Sequence, residues 1–187
     1  MLNSLRKHLD SEAGKDGIFD IVLYGSSVKG KLSPGDIDIL IIFVEGTLRQ
    51  RLDKTQNIKM NLKKGFHQKI DIKQILLNEL FSANFFARTG ILLEGISLRS
   101  GKHFSENLGF KPYTLFSWTL SGLTHSEKIR FNYILAGRGV QGIVKELGGI
   151  RVASGAIKIP IGNSTVFEDI LKANKVPYNK KNLLEEI

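Results

Sequence analysis

The stretch Tyr24-Gly25-Ser26-Ser27-Val28-Lys29-Gly30-Lys31-Leu32-Ser33-Pro34-Gly35-Asp36-Ile37-Asp38-Ile39-Leu40 decides how this chain is read. It begins where an apolar run, Ile21-Val22-Leu23, predicts a buried strand over residues 18–24. Gly25-Ser26-Ser27 predicts a turn or helix start, and Ser33-Pro34-Gly35 a second turn. Glycine allows close backbone approach, and the free N–H groups and the Ser26 hydroxyl can receive phosphate oxygens. Lys29 and Lys31 follow at short range and can neutralise a polyphosphate. Residues 36–44 predict a strong strand. Positions two apart share a strand face, so Asp36 and Asp38 converge while Ile37, Ile39 and Ile41 line an opposite, apolar face. Two like charges side by side repel, which makes the pair costly unless cations sit between them. Mg²⁺ suits such a place because it prefers carboxylates, waters and substrate phosphates. A pair of such ions can stabilise both the attacking and the leaving oxygen of a phosphoryl displacement.

A third carboxylate would complete a site of this kind. Asp71, in Lys69-Ile70-Asp71-Ile72-Lys73, is the best candidate, on a predicted strand (68–75) able to pair with the Asp36 strand. Asp20 and Asp53 are weaker candidates: the first precedes a strand core and the second lies in a polar helix predicted over 47–64. A plainer reading makes Asp36 and Asp38 a solvated strand face paired with Lys29 and Lys31, and lets Asp71 bridge Lys69 and Lys73. Helices are expected over 2–13 and, mostly, over 76–93, where Phe81, Phe85 and Phe86 read as core. Strands alternating with helices over the first hundred residues indicate a small α/β layer.

The Gly-Ser turn, the short spacer, the Asp-x-Asp strand and the later strand aspartate resemble the DNA polymerase β-type nucleotidyltransferase superfamily. The resemblance is nearest to its minimal members and covers residues 15–100. Leu92-Leu93-Glu94-Gly95-Ile96-Ser97-Leu98 is similar to the end of such cores, where a helix runs into a Glu-Gly turn and a short apolar strand. Gly35 stands where many members carry Ser, and Lys29 where Arg is common. The resemblance implies a mixed sheet flanked by helices. It assigns Gly25 and Ser26 to the β- and γ-phosphates of a nucleoside triphosphate such as ATP, with Lys29 and Lys31 beside them. It assigns Asp36, Asp38 and Asp71 to two Mg²⁺ ions, Mn²⁺ being an alternative. Asp71 would bind the metal nearer the acceptor and help activate its hydroxyl. The expected reaction transfers a nucleoside monophosphate to a hydroxyl and releases pyrophosphate. An RNA 3′ end is the first acceptor to consider, a protein hydroxyl the second, and a non-catalytic nucleotide- or nucleic-acid-binding module the third reading.

Composition agrees. The chain has 187 residues, 42% apolar and 24% charged, which is ordinary for a globular protein able to bury a core without cross-links. It has no cysteine, which excludes disulfide frameworks, Cys-ligated metals and thiol catalysis and is compatible with a cytoplasmic protein. No apolar run is long enough for a membrane span, and the first residues lack a signal-peptide core. The net charge of +9 favours polyanionic partners. His8, His67, His103 and His125 are scattered singly, without metal-ligand spacing.

Residues 101–187 predict a separate small α+β domain, possibly acceptor-binding, following a core of residues 1–100. A loop is expected over 101–111 and a helix from Thr124 or Ser126 to Ala136, opened by the capping box Thr124-His-Ser-Glu127. A short helix over 140–147, a hairpin over 150–161 and a helix opened by Thr165-Val-Phe-Glu168 follow, with a last strand over 176–183. Helix, turn, helix and hairpin in this order permit a winged-helix-like nucleic-acid module or a plain packing domain. Tyr113, Phe116 and Trp118 fall in the junction, as base-stacking or interdomain packing residues.

Overall fold

A computed structural model describes residues 2–9, 17–28 and 35–187. The chain divides into two compact units, residues 1–109 and 110–187. The first unit contains α1 (Leu2–Leu9), β1 (Ile18–Tyr24), β2 (Asp36–Phe43), α2 (Leu48–Lys63), β3 (Lys69–Leu76), the single turn α3 (Leu77–Leu80), α4 (Arg88–Glu94) and β4 (Ile96–Ser97). It extends past residue 100 because a 3₁₀ turn, Phe104–Leu108, belongs to it. Phe104 is fully buried there, beside Ile91 and Leu40.

The sheet has the order β3-β2-β1-β4. β1 pairs antiparallel with β2 and β4, and β2 pairs parallel with β3, so the sheet is mixed. Both faces are covered. Ile37, Ile39, Ile41 and Phe43 pack with Leu5, Leu9, Ile58 and Leu62 of α1 and α2. Leu40 and Ile42 pack with Val22, Leu80, Ile91 and Phe104. The alternation along β2 therefore gives each face its own apolar set, as a doubly covered sheet requires. A Thr47–Gln50 capping box opens α2. α4 ends at Gly95, where a Cβ would overlap the Ile91 carbonyl and crowd Val22, so only glycine leads the chain into β4.

Two expectations change in this unit. The helix over 76–93 is broken into α3 and α4 by a loop, so Phe81 and Phe86 are not core: they are 55% and 94% exposed. Only Phe85 of the three packs against buried residues. The predicted end of the first helix, beyond Leu9, lies outside the described residues.

The second unit contains β5 (Phe110–Trp118), α5 (His125–Ala136), the single turn α6 (Ile143–Glu146), β6 (Ile150–Ala153), β7 (Ala156–Pro160), α7 (Ser164–Ala173) and β8 (Tyr178–Glu186). Its antiparallel sheet has the order β6-β7-β5-β8. The strand β5 occupies the stretch that the sequence leaves as loop and junction. Phe116 and Trp118 pack into this unit's own core with Phe131, Ile157, Ile159 and Phe167. Tyr113 lies under the Lys158 ammonium, which also pairs with Glu185. The Thr124–Glu127 capping box forms as expected. The one at Thr165 does not: α7 starts at Ser164, and Glu168 is engaged elsewhere. α6 is one turn, too short to serve as a recognition helix.

Glu168 ties α7 to the edge strand β8. Its carboxylate accepts from the Tyr178 hydroxyl at 2.6 Å and from Lys180 Nζ at 2.7 Å, with Lys172 Nζ at 3.2 Å. These bonds, the Lys180 one foremost, hold its pKa down to about 2. A depressed carboxyl contributes stability above its ordinary value of 4.5 and loses it as pH falls towards 2. Glu168→Gln is therefore expected to lower stability at neutral pH and to flatten the loss between those two values, as measured by denaturant unfolding across pH.

Candidate active site

Register brings the candidate groups together at one end of the first sheet. Tyr24 is the partner of Asp38 across the antiparallel β1–β2 pair, and Asp38 is the partner of Asp71 across the parallel β2–β3 pair. Tyr24, Asp38 and Asp71 thus form a row across three strands. The row lies on the face that also carries Val22, Leu40, Ile42 and Ile75. Asp36 lies on that face two residues earlier, half exposed, with Lys69 Nζ at 3.7 Å. Lys69 and Lys73 flank Asp71 on the same face of β3. Lys69 pairs with Asp36.

The electrostatics follow from this placement. Burial pushes the Asp38 carboxyl above its ordinary range, and the Asp71 and Asp36 charges push it further, against the pull of Lys73 and Lys69. The Tyr24 hydroxyl is raised to about 12 by burial and by the charges of Asp38 and Asp71. Tyr24 remains a neutral phenol throughout the ordinary pH range. Sequence reasoning gave it no role; only the β1–β2 register sets it beside Asp38.

Gly25 has φ +74° and opens a 3₁₀ turn, Gly25–Val28. A Cβ placed on it would come 2.5 Å from Asp38 Oδ2. Glycine is required twice, by the left-handed backbone and by the carboxylate packed against it. The Ser27 hydroxyl donates to the Asp36 carbonyl at 2.9 Å and fastens the turn to the start of β2. Ser26 sits within the same turn. Lys29 and Lys31 lie outside the described residues.

The other carboxylates separate from the row. Asp20 is buried at the far end of β1, where it accepts from Ser97 Oγ at 2.8 Å, Asn107 Nδ2 at 2.9 Å and its neighbour's amide, Ile21 N–H, at 2.8 Å. Burial raises its pKa despite these bonds. Asp20 joins β1, β4 and the 3₁₀ turn after β4, and it is structural. Asp53 lies on α2, in the helix and away from the row.

Among the described residues, no three Asp, Glu or His side chains are gathered closely enough to form a metal cage by themselves. The donor chemistry still fits a hard divalent cation. Asp38 is a carboxylate held beside two like charges, a repulsion that a cation would relieve.

This row of carboxylates and the Gly25–Ser26 turn are the residues that the sequence resemblance to polymerase β-type nucleotidyltransferases singles out. Residues 2–91 match the family model described as "Nucleotidyltransferase domain". Residues 2–91, within the N-terminal unit, accordingly carry a nucleotidyltransferase domain. Among solved structures, the toxin–antitoxin MntA-HpeT, in a mutant form, is 20% identical and aligns over 58% of this chain and 79% of that chain, with a TM-score of 0.38. Comparison with curated proteins finds no match.

Two outcomes test the geometry. Gly25→Ala is expected to abolish nucleotidyl transfer by displacing the Asp38 carboxylate, while costing only about 1–2 kcal/mol of stability, the penalty for a left-handed non-glycine residue. Thermal unfolding together with a transfer assay reads both. Because a raised carboxyl loses stability as pH rises through its titration, Asp38→Asn should stabilise the metal-free protein at neutral pH by roughly 0.2–1 kcal/mol. The stabilisation should vanish below the ordinary carboxyl range, where Asp38 is protonated in both states.

Proposed function

We propose that the chain transfers a nucleoside monophosphate from a nucleoside triphosphate, such as ATP, to the terminal hydroxyl of a nucleic acid, with RNA as the first acceptor. The reading is carried by the convergence of Asp38 and Asp71 on adjacent strands, with Asp36 on the same face and Gly25 packed on Asp38. The acceptor is inferred from the net charge of +9, which favours a polyanion.

Asp36, Asp38 and Asp71 would hold the divalent cations, Mg²⁺ by preference. When bound, these ions supply Lewis-acid stabilisation of the developing phosphoryl charge. The Gly25–Ser26 turn binds the β- and γ-phosphates through backbone N–H groups and the Ser26 hydroxyl, with Lys29 and Lys31 adding countercharge. Asp71, on the edge strand, faces the acceptor and takes the proton of its hydroxyl. The hydroxyl oxygen bonds to the α-phosphorus, the bond from the α-phosphorus to the bridging oxygen breaks, and pyrophosphate leaves. The protein contributes alignment and charge rather than a covalent intermediate. Residues 110–187, with 11 Lys and Arg against 6 Asp and Glu, are the proposed acceptor-binding unit.

The test incubates the full chain with Mg²⁺ and each α-labelled nucleoside triphosphate in turn. Total RNA, tRNA and the protein itself are offered as acceptors. Label on RNA that disappears in Asp36→Asn and in Asp38→Asn, with cooperative unfolding retained and no loss of stability in Asp38→Asn, is the expected result. Label on a protein hydroxyl would reassign the acceptor while keeping the site. Nucleotide binding with no transfer to any acceptor would leave a binding module and refute catalysis.

A further inference from the structure

The helix α5 has two apolar faces, and the second unit uses only one. Phe131 and Leu135 point into its core. On the outer side, Ile129 and Tyr133 are 40% and 44% exposed, four positions apart on one stripe. The chain then reverses through Gly137 (φ +84°) and Gly139 (φ +74°) and sets Val140, 77% exposed, beside that stripe. A Cβ at Gly137 would overlap the Val140 carbonyl, so the reversal is tightly closed. It also places the Arg138 guanidinium over the Tyr133 ring, 4.9 Å from its centre.

The result is a shallow, open groove of about 510 Å³ lined by the apolar Ile129, Tyr133, Ile134 and Val140 together with the cations Arg130 and Arg138. Among the described residues, no carboxylate lines it. Tyr and Arg over an apolar floor are the residue types that concentrate binding energy in protein interfaces. The two arginines oppose a second copy of this chain, which would bring the same charges together. The apolar floor opposes a nucleic acid as well, because the one aromatic ring already has a guanidinium on one face. Charge complementarity and the exposed apolar side chains favour a protein segment whose apolar ridge is flanked by Asp or Glu.

We propose that this groove is a docking site for an acidic amphipathic helix of a partner protein, anchored by Ile129, Tyr133 and Val140 and oriented by Arg130 and Arg138. The site belongs to the second unit alone and does not depend on the chemistry assigned to the first.

The experiment titrates the full chain against three fluorescent probes, read by anisotropy. They are a helical peptide with leucines on one face and glutamates beside them, the same peptide with lysines for the glutamates, and an oligouridine. The acidic peptide should bind, the lysine peptide should not, and Val140→Glu and Ile129→Glu should each weaken binding at least about tenfold. Arg138→Glu should shift preference toward the lysine peptide. All three substitutions are at exposed positions, and circular dichroism checks that the fold is kept. The proposal is overturned if the acidic peptide does not bind, if its binding ignores these substitutions, or if oligouridine binds with the same dependence on them. A homodimer that Val140→Glu dissociates would also overturn it.

Discussion

The burial of β2 on both faces is the constraint on which the rest of the first unit depends. From Ile37 to Phe43, every residue except Asp38 is essentially inaccessible to solvent. Fully burying one such side chain is worth about 1.5–3 kcal/mol. The repulsion between neighbouring carboxylates on a sheet is about 0.2–1 kcal/mol per pair. The apolar term wins by a wide margin, so the acidic end of the strand is carried wherever the core sets it. A slip of one residue would exchange the two apolar sets and bury Asp36 and Asp38 against α1 and α2. The catalytic candidates are thus positioned by residues that have no chemistry of their own.

Asp20 and Asp38 show how the same side chain on the same sheet face comes to different ends. Both are raised chiefly by burial. Asp20 is surrounded by three donors from three segments, so its charge is satisfied and its position is locked. Asp38 meets Asp71 and Asp36, whose negative charges outweigh the opposing pull of Lys73 and Lys69. A buried carboxylate with donors fastens a fold. A half-buried carboxylate among carboxylates leaves a charge for something else to neutralise. The glycine against Asp38 supports this distinction, because it gives up a side chain to leave the carboxylate room.

Much of this was legible in the residues, for definite reasons. Period-two patterning in Asp36-Ile37-Asp38-Ile39 fixed which side chains share a face, and the β-branched flanks of Asp71 marked its strand. Local chemistry also sufficed for the Thr124–Glu127 cap and for the Glu94-Gly95 turn. What failed depended on distant partners. Phe110–Trp118 contains Lys111-Pro112 and no clean alternation, yet it becomes a central strand because β7 and β8 pair on either side of it. Glu168 has capping-box spacing from Thr165, but β8 offers it a tyrosine and a lysine, which a local cap cannot match. Phe81 and Phe86 read as core because an apolar helical run normally buries its aromatics; the loop between α3 and α4 turns both outward. Tyr24 escaped for the same kind of reason. Its place beside Asp38 is set by the β1–β2 register, which the intervening spacer does not reveal.

The charge balance at the sheet end sets how strongly the three aspartates repel one another before anything binds. Three aspartates meet two lysines, Lys69 and Lys73, on the same face of the sheet. Lys69 engages Asp36 at 3.7 Å, with both side chains at least half exposed. An ion pair this open is worth about 0–1 kcal/mol and is readily exchanged. It is enough to temper the repulsion while the strands pair, and too weak to hold Asp36 against a divalent cation. Lys73 opposes the rise at Asp38 but does not outweigh burial and the charge of Asp71. For the proposed metal site, the lysines act as temporary countercharges. They temper the repulsion in the metal-free sheet, and the residual negative charge is what gives a divalent cation its advantage over them.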